Sequence, residues 1–119
     1  MPAAQGPALN LTEIDGYLIV NLPSVISDQH LIEHCDQISR LVETSRYRGV
    51  ILNLTAVTLL DYGALLQIRR ICQSNQLLGS ATVLVGANAS SAAYLASMPE
   101  DFDDLIFCND MASAKRACG

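Results

Sequence analysis

The 119-residue sequence has no tryptophan, two phenylalanines and four tyrosines. An aromatic core is therefore excluded, and aliphatic side chains and alanine must fill the interior. Basic runs are also missing: seven Lys and Arg stand against twelve Asp and Glu, for a formal net charge of −5. That balance argues against nucleic acid or an anionic membrane as partner, since both reward clustered cations. No apolar segment approaches bilayer-spanning length, which excludes direct membrane insertion by a helix. Met1 to Asn10 lacks the basic start and apolar middle of a signal peptide, so the expected compartment is the cytoplasm. The four cysteines, Cys35, Cys72, Cys108 and Cys118, form no C-x-x-C pair and have no histidine at zinc-ligand spacing. They read as reduced thiols, with Cys35, Cys72 and Cys108 packed into the core, and no cofactor is implied.

Half of the residues are apolar, and 119 residues are enough for one domain that buries a core without disulfides or a metal. Residues 1–8, with two prolines and a glycine, read as a flexible lead-in, and 9–119 as a single domain. The central stretch runs from Gly49 to Gly79. Gly49-Val50-Ile51-Leu52-Asn53-Leu54 is an apolar, β-branched run without clean alternation, the pattern of a strand covered on both faces. A loop through Leu59-Leu60-Asp61-Tyr62-Gly63 follows, and Asp61 is placed to cap a helix. Ala64, Ile68, Ile71, Cys72 and Asn75 then recur at helical spacing, with Leu65 and Leu78 widening the stripe and Gly79 as a stop.

Before this stretch, two strand-like runs flank Asp15-Gly16, a strong hairpin signal. Pro23 closes the second, and Ser27-Asp28 starts a helix whose apolar stripe is Leu31, Cys35, Ile38 and Val42, supported by Ile32 and Leu41. His30 and His34 share a face as a conceivable metal pair, but without a third ligand nearby they read as solvated surface. After Gly79 come a strand at Ala81 to Val85, a turn at Gly86-Ala87-Asn88, and an alanine-rich helix to about Met98 that is thin enough to lie close to the sheet. The junction Gly86, Asn88, Ser90, Ser91 is a candidate ligand or anion site, although it has neither G-x-G-x-x-G nor G-K-[ST]. Pro99 to Asp104 is acidic and reads as a solvated loop, with a partner-facing patch as the alternative. A last strand at Leu105 to Cys108 precedes a helix capped by Asn109 or Asp110, with Met111, Ala114 and Ala117 inward. The expected fold class is α/β: a mixed, mostly parallel sheet with an N-terminal antiparallel hairpin and about four flanking helices.

Catalytic chemistry is absent from this pattern. No serine or cysteine stands with a histidine in a recognised catalytic signature, and carboxylates cluster only at Glu100 to Asp104. The chain reads as a non-enzyme.

The strand, loop and helix start from Val50 to Asp61 resemble the signature of STAS domains, the family of anti-sigma factor antagonists and sulfate-transporter tails. The resemblance extends over nearly the whole chain, and Leu54 to Asp61 is most similar to the small single-domain STAS proteins of stressosomes. It implies a protein-protein interaction module in a partner-switching or stressosome signalling system. Its partners would be an anti-sigma factor that is also a kinase, or other STAS proteins, a second copy of the chain included. In the family the kinase phosphorylates the hydroxyl that follows the Asp. Here that residue is Tyr62, and Gly63 and Ala64 supply no hydroxyl, so the usual acceptor is missing. Thr58 is the nearest upstream hydroxyl and the candidate for a displaced acceptor. The expected docking surface comprises Thr58, Leu59, Leu60, Asp61, Tyr62, Gly63, Gln67 and Arg70. The alternative is a ligand-sensing or transporter-associated accessory STAS domain using the Gly86 to Ser91 junction.

Overall fold

A computed structural model describes residues 10–26, 28–58, 60–97 and 104–118. The expected lead-in, Ser27, Leu59 and most of the acidic run lie outside these residues. The order is β1 (Asn10–Ile14), β2 (Tyr17–Asn21), α1 (Asp28–Thr44), β3 (Gly49–Asn53), α2 (Tyr62–Leu77), β4 (Thr82–Val85), α3 (Ala89–Ala96), β5 (Phe107–Cys108) and α4 (Met111–Cys118). Among the described residues, five strands form one sheet in the order β1-β2-β3-β4-β5, antiparallel between β1 and β2 and parallel in the other three pairs. The hairpin turns through Asp15 at φ 56° and Gly16 at φ 84°, the pair of positive dihedrals that a two-residue turn needs to match strand twist.

Alternation along the strands divides the core in two. Leu18, Val20, Val50, Leu52, Leu54 and Leu84 face Leu31, Ile38 and Val42 of α1 and Leu65, Ile68 and Ile71 of α2. Tyr17, Ile19, Ile51, Val83 and Val85 face the opposite way, against Ala114 of α4. Burial on both faces is why β2, β3 and β4 carry continuous apolar runs. The edge strand β1 is largely exposed.

Several expected inward positions are corrected by helix geometry. Ile32 is 41% exposed, whereas His34 is buried. His34 lies three residues after Leu31 and four before Ile38, so it occupies the stripe, and Ile32 is rotated off it. Burial, then the charge of neighbouring His30, pushes the His34 imidazole below its ordinary value. Leu78 is the C-cap of α2, beyond the last turn, and is also exposed. In α4 the sheet-facing line is Met111, Ala114 and Cys118, leaving Ala117 in solvent. A Cβ on Gly49 would lie 2.5 Å from the Cys118 sulfur, so the strand is bare where the helix end meets it. Asp110, not Asn109, caps α4, accepting the Ser113 amide at 2.8 Å. The last strand is confined to Phe107–Cys108, with Leu105 tucked into the core before it.

Candidate functional site

The β2–α1, β3–α2 and β4–α3 connections all leave the carboxyl ends of parallel strands, where open α/β sheets gather their binding loops. The middle connection, residues 54–61, is held from three directions. From the sheet, Asn53 Oδ1 accepts both the Thr55 amide at 3.1 Å and its hydroxyl at 2.6 Å, while Asn53 Nδ2 donates to Asn21 Oδ1 at 2.8 Å. Asn21 donates onward to Asn10 Oδ1 and Thr12 Oγ1 of β1, so a row of polar side chains crosses three strands. On the β2–α1 side, the Ser24 carbonyl accepts both the amide and the hydroxyl of Thr58, each at 3.2 Å. From the β4–α3 side, Asn88 Nδ2 donates to the carbonyls of Val57 and Thr58 at 3.2 and 2.9 Å, and Ser91 Oγ accepts the Leu60 amide at 3.3 Å.

At the end of the connection Asp61 caps α2 as expected. Its carboxylate accepts the Ala64 amide at 2.8 Å and its carbonyl the Leu65 amide at 3.0 Å, so two donors of the first turn are satisfied. Asp61, Thr58 and Arg70 are exposed, and Tyr62, Gly63 and Gln67 are half-buried. Tyr62 opens the helix with its ring packed on the α1/α2 side of the core. Leu60 is a correction. It is fully buried in that core and cannot be a surface anchor; an apolar residue after the turn serves folding here. Leu59 lies outside the described residues.

The Gly86 to Ser91 junction is corrected in a second way. Gly86 has φ 86°, and two donors of the junction are engaged within the fold: Asn88 Nδ2 by the carbonyls above, and the Ser91 amide by Asn88 Oδ1, which accepts it at 2.8 Å and thereby caps α3. Ser91 is buried beneath the loop, and Ser90 is exposed. The junction is a clasp on the 54–61 connection, which the sequence reading missed because the two segments are some thirty residues apart. Accordingly α3 is fastened to this loop, where the sequence reading expected it close to the sheet.

The remaining chemistry is sparse. His30 and His34 stack with ring centroids 6.4 Å apart, and among the described residues no three His, Cys, Asp or Glu side chains are grouped to hold a metal. All four cysteines are unpaired and half-buried. Burial, with Asp104 nearby, pushes the Cys72 thiol up to about 12, and burial also raises Cys118. No helix among the described residues is long and apolar enough to cross a membrane.

A family model for the STAS domain matches residues 8–111. The chain belongs to the STAS domain family. Solved structures share the fold of this STAS domain at low identity. A variant of RsbS from Moorella thermoacetica aligns over 94% of this chain and 95% of its own, with a TM-score of 0.77 and 18% identity. A chain from the molecular architecture of the stressosome aligns over 92% and 95%, at 0.76 and 18%. The anti-sigma factor antagonist SpoIIAA of Bacillus, in its unphosphorylated form, aligns over 92% and 96%, at 0.69 and 10%. No curated protein matches the chain.

Proposed function

We propose that this STAS domain is a non-catalytic protein-protein interaction module of a bacterial-type partner-switching or stressosome-like signalling system, working in the cytoplasm. The observation that carries the reading is the capped helix start. Asp61 holds the first turn of α2 as the family pattern requires, yet Tyr62, Gly63 and Ala64 follow it without an aliphatic hydroxyl. The docking surface in this reading is Thr58, Asp61, Tyr62 and Gly63 with Gln67 and Arg70 along α2. Phosphorylation would add about −1.5 to −2 charges at such a helix start and change what docks there without refolding the domain. Lacking that acceptor, the module is a constitutive partner or a scaffold subunit. Thr58 is a poor substitute acceptor, because its hydroxyl donates to the Ser24 carbonyl.

Two measurements test the reading together. Affinity purification should capture an anti-sigma factor, a kinase or another STAS protein. Arg70→Glu should lose that capture, while Arg40→Glu, on the exposed side of α1, should keep it. Incubation with the captured kinase and ATP should leave Thr58 and Tyr62 unmodified. Phosphate on either residue, or capture indifferent to Arg70→Glu, would sink the proposal.

A further inference from the structure

At the opposite end of the sheet, where β2 and β3 begin, three cations from two separate segments line one depression, and two of them lie over one ring. The Arg48 guanidinium carbon lies 5.2 Å from the Tyr17 ring centroid and Lys115 Nζ lies 5.8 Å from it. With Arg116 they line a shallow, open depression. These are three of only seven basic residues in a chain of net charge −5. The preference of helix carboxyl ends for cations accounts for Lys115 and Arg116 in the last turn of α4. It does not account for Arg48, which precedes β3 and closes over the same ring. One carboxylate, Asp15, engages Lys115 at 2.8 Å, and Arg116 Nη2 donates to the Ser113 hydroxyl at 3.1 Å. Among the described residues, three positive charges against one negative leave the depression with an excess of positive charge.

Its openness suits an extended acidic segment better than an enclosed small molecule. The sequence carries such a segment in Glu100-Asp101-Phe102-Asp103-Asp104, with four carboxylates in five residues. Its one described residue, Asp104, has a partner in its own chain. Asp104 pairs with Arg69 Nε at 3.2 Å, and Arg69 belongs to α2, which covers the face of the sheet opposite α4. Asp104 thus lies across the sheet from the depression of its own chain, which leaves that depression open to a second copy.

We propose that the depression formed by Tyr17, Arg48, Lys115 and Arg116 receives the acidic run 100–104 of a second copy of this chain, head to tail. Such an interface is heterologous, so repeated contacts close into a ring or continue as a filament. It lies at the far end of the strands from the 54–61 connection and does not depend on the function proposed for that connection.

Sedimentation velocity of the full chain tests this. The wild type should exceed the monomer mass at 0.1 M salt and return to it at 1 M, as the Debye length falls from about 10 to about 3 Å. The double variants Arg48→Glu/Arg116→Glu and Asp101→Lys/Asp103→Lys should each weaken self-association on the order of tenfold or more. An equimolar mixture of the two should associate again, because each offers the charge the other has lost. A synthetic peptide of residues 99–105 should dissociate the wild type, a readout that needs no variant to fold. A wild type monomeric throughout the concentration range, association indifferent to salt, a mixture that stays monomeric, or an inert peptide would each overturn the proposal.

Discussion

Gly86 and Gly79 form a matched pair for testing how tightly the 54–61 connection is clasped. Their φ values are 86° and 89°, so alanine at either position meets nearly the same backbone penalty, about 1–2 kcal/mol for an L-residue in left-handed territory. Their surroundings differ. A Cβ on Gly79 would meet nothing within 4 Å. A Cβ on Gly86 would overlap Thr55 Oγ1 and lie 3.0 Å from the Thr55 nitrogen and 3.2 Å from its Cα. Thr55 cannot swing aside cheaply, because its amide and hydroxyl are both held by Asn53 Oδ1. Forcing a methyl into such a site adds roughly 1–3 kcal/mol. Gly79→Ala should therefore cost about 1–2 kcal/mol and Gly86→Ala roughly 2–5 kcal/mol in urea titrations with unchanged m-values. Thr55→Ala in the Gly86→Ala background should restore only part of the difference, since the backbone contacts of Thr55 remain. Equal losses for the two glycine variants would refute the steric argument and leave only the dihedral one.

Removing the α2 cap with Asp61→Ala should cost about 1 kcal/mol, and Asp61→Asn much less, by the same titration. Ser91→Ala strips the buried Leu60 amide of its acceptor, which should cost about 1–3 kcal/mol and speed hydrogen exchange at Leu60. An unchanged exchange rate would mean that this bond holds nothing. His34 has a folded-state pKa below its ordinary 6.5, so the folded chain resists protonation more than the unfolded chain does. Its contribution to stability is present above pH 6.5 and is lost as pH falls through the depressed value; the midpoint of thermal unfolding should drop across that window, and less steeply in His34→Gln. With its thiol pushed up to about 12, Cys72 should react with a disulfide reagent at pH 8 far more slowly in the native protein than in urea, and an equal rate would place it on the surface.

Element order, hairpin, parallel strands and the Asp61 cap were all legible in the sequence, because each rests on local signals: Asp15-Gly16, runs of β-branched residues, an acidic residue ahead of an apolar stripe. On α1 the type of a residue points one way and its position on the helix decides the other. Polarity alone places His34 in solvent and hydrophobicity alone places Ile32 in the core, yet the 3.6-residue turn reverses both. Leu60 belongs to the expected docking surface as an apolar side chain beside Asp61, but it is turned into the core. Asn88 and Ser91 looked available for a ligand because their partners, the carbonyls of Val57 and Thr58 and the amide of Leu60, come from a distant segment. Contacts of that separation leave no periodic trace in one sequence.

The clasp also bears on how the proposed docking surface would work. Backbone fixed in one conformation saves a partner roughly 1–2 kcal/mol of ordering per residue, and here the Ser24 carbonyl, Asn53, Asn88 and Ser91 hold Thr55, Val57, Thr58 and Leu60 before any partner arrives. A switch of the usual kind needs only a new charge on such a rigid surface, since nothing has to refold for docking to fail. In the function proposed above, Tyr62 in place of an aliphatic hydroxyl leaves this STAS domain its clasped loop and its Asp61 cap without the usual charge input. Restoring an acceptor by Tyr62→Ser is then the smallest change that would distinguish a domain that never switches from one whose switch has moved elsewhere.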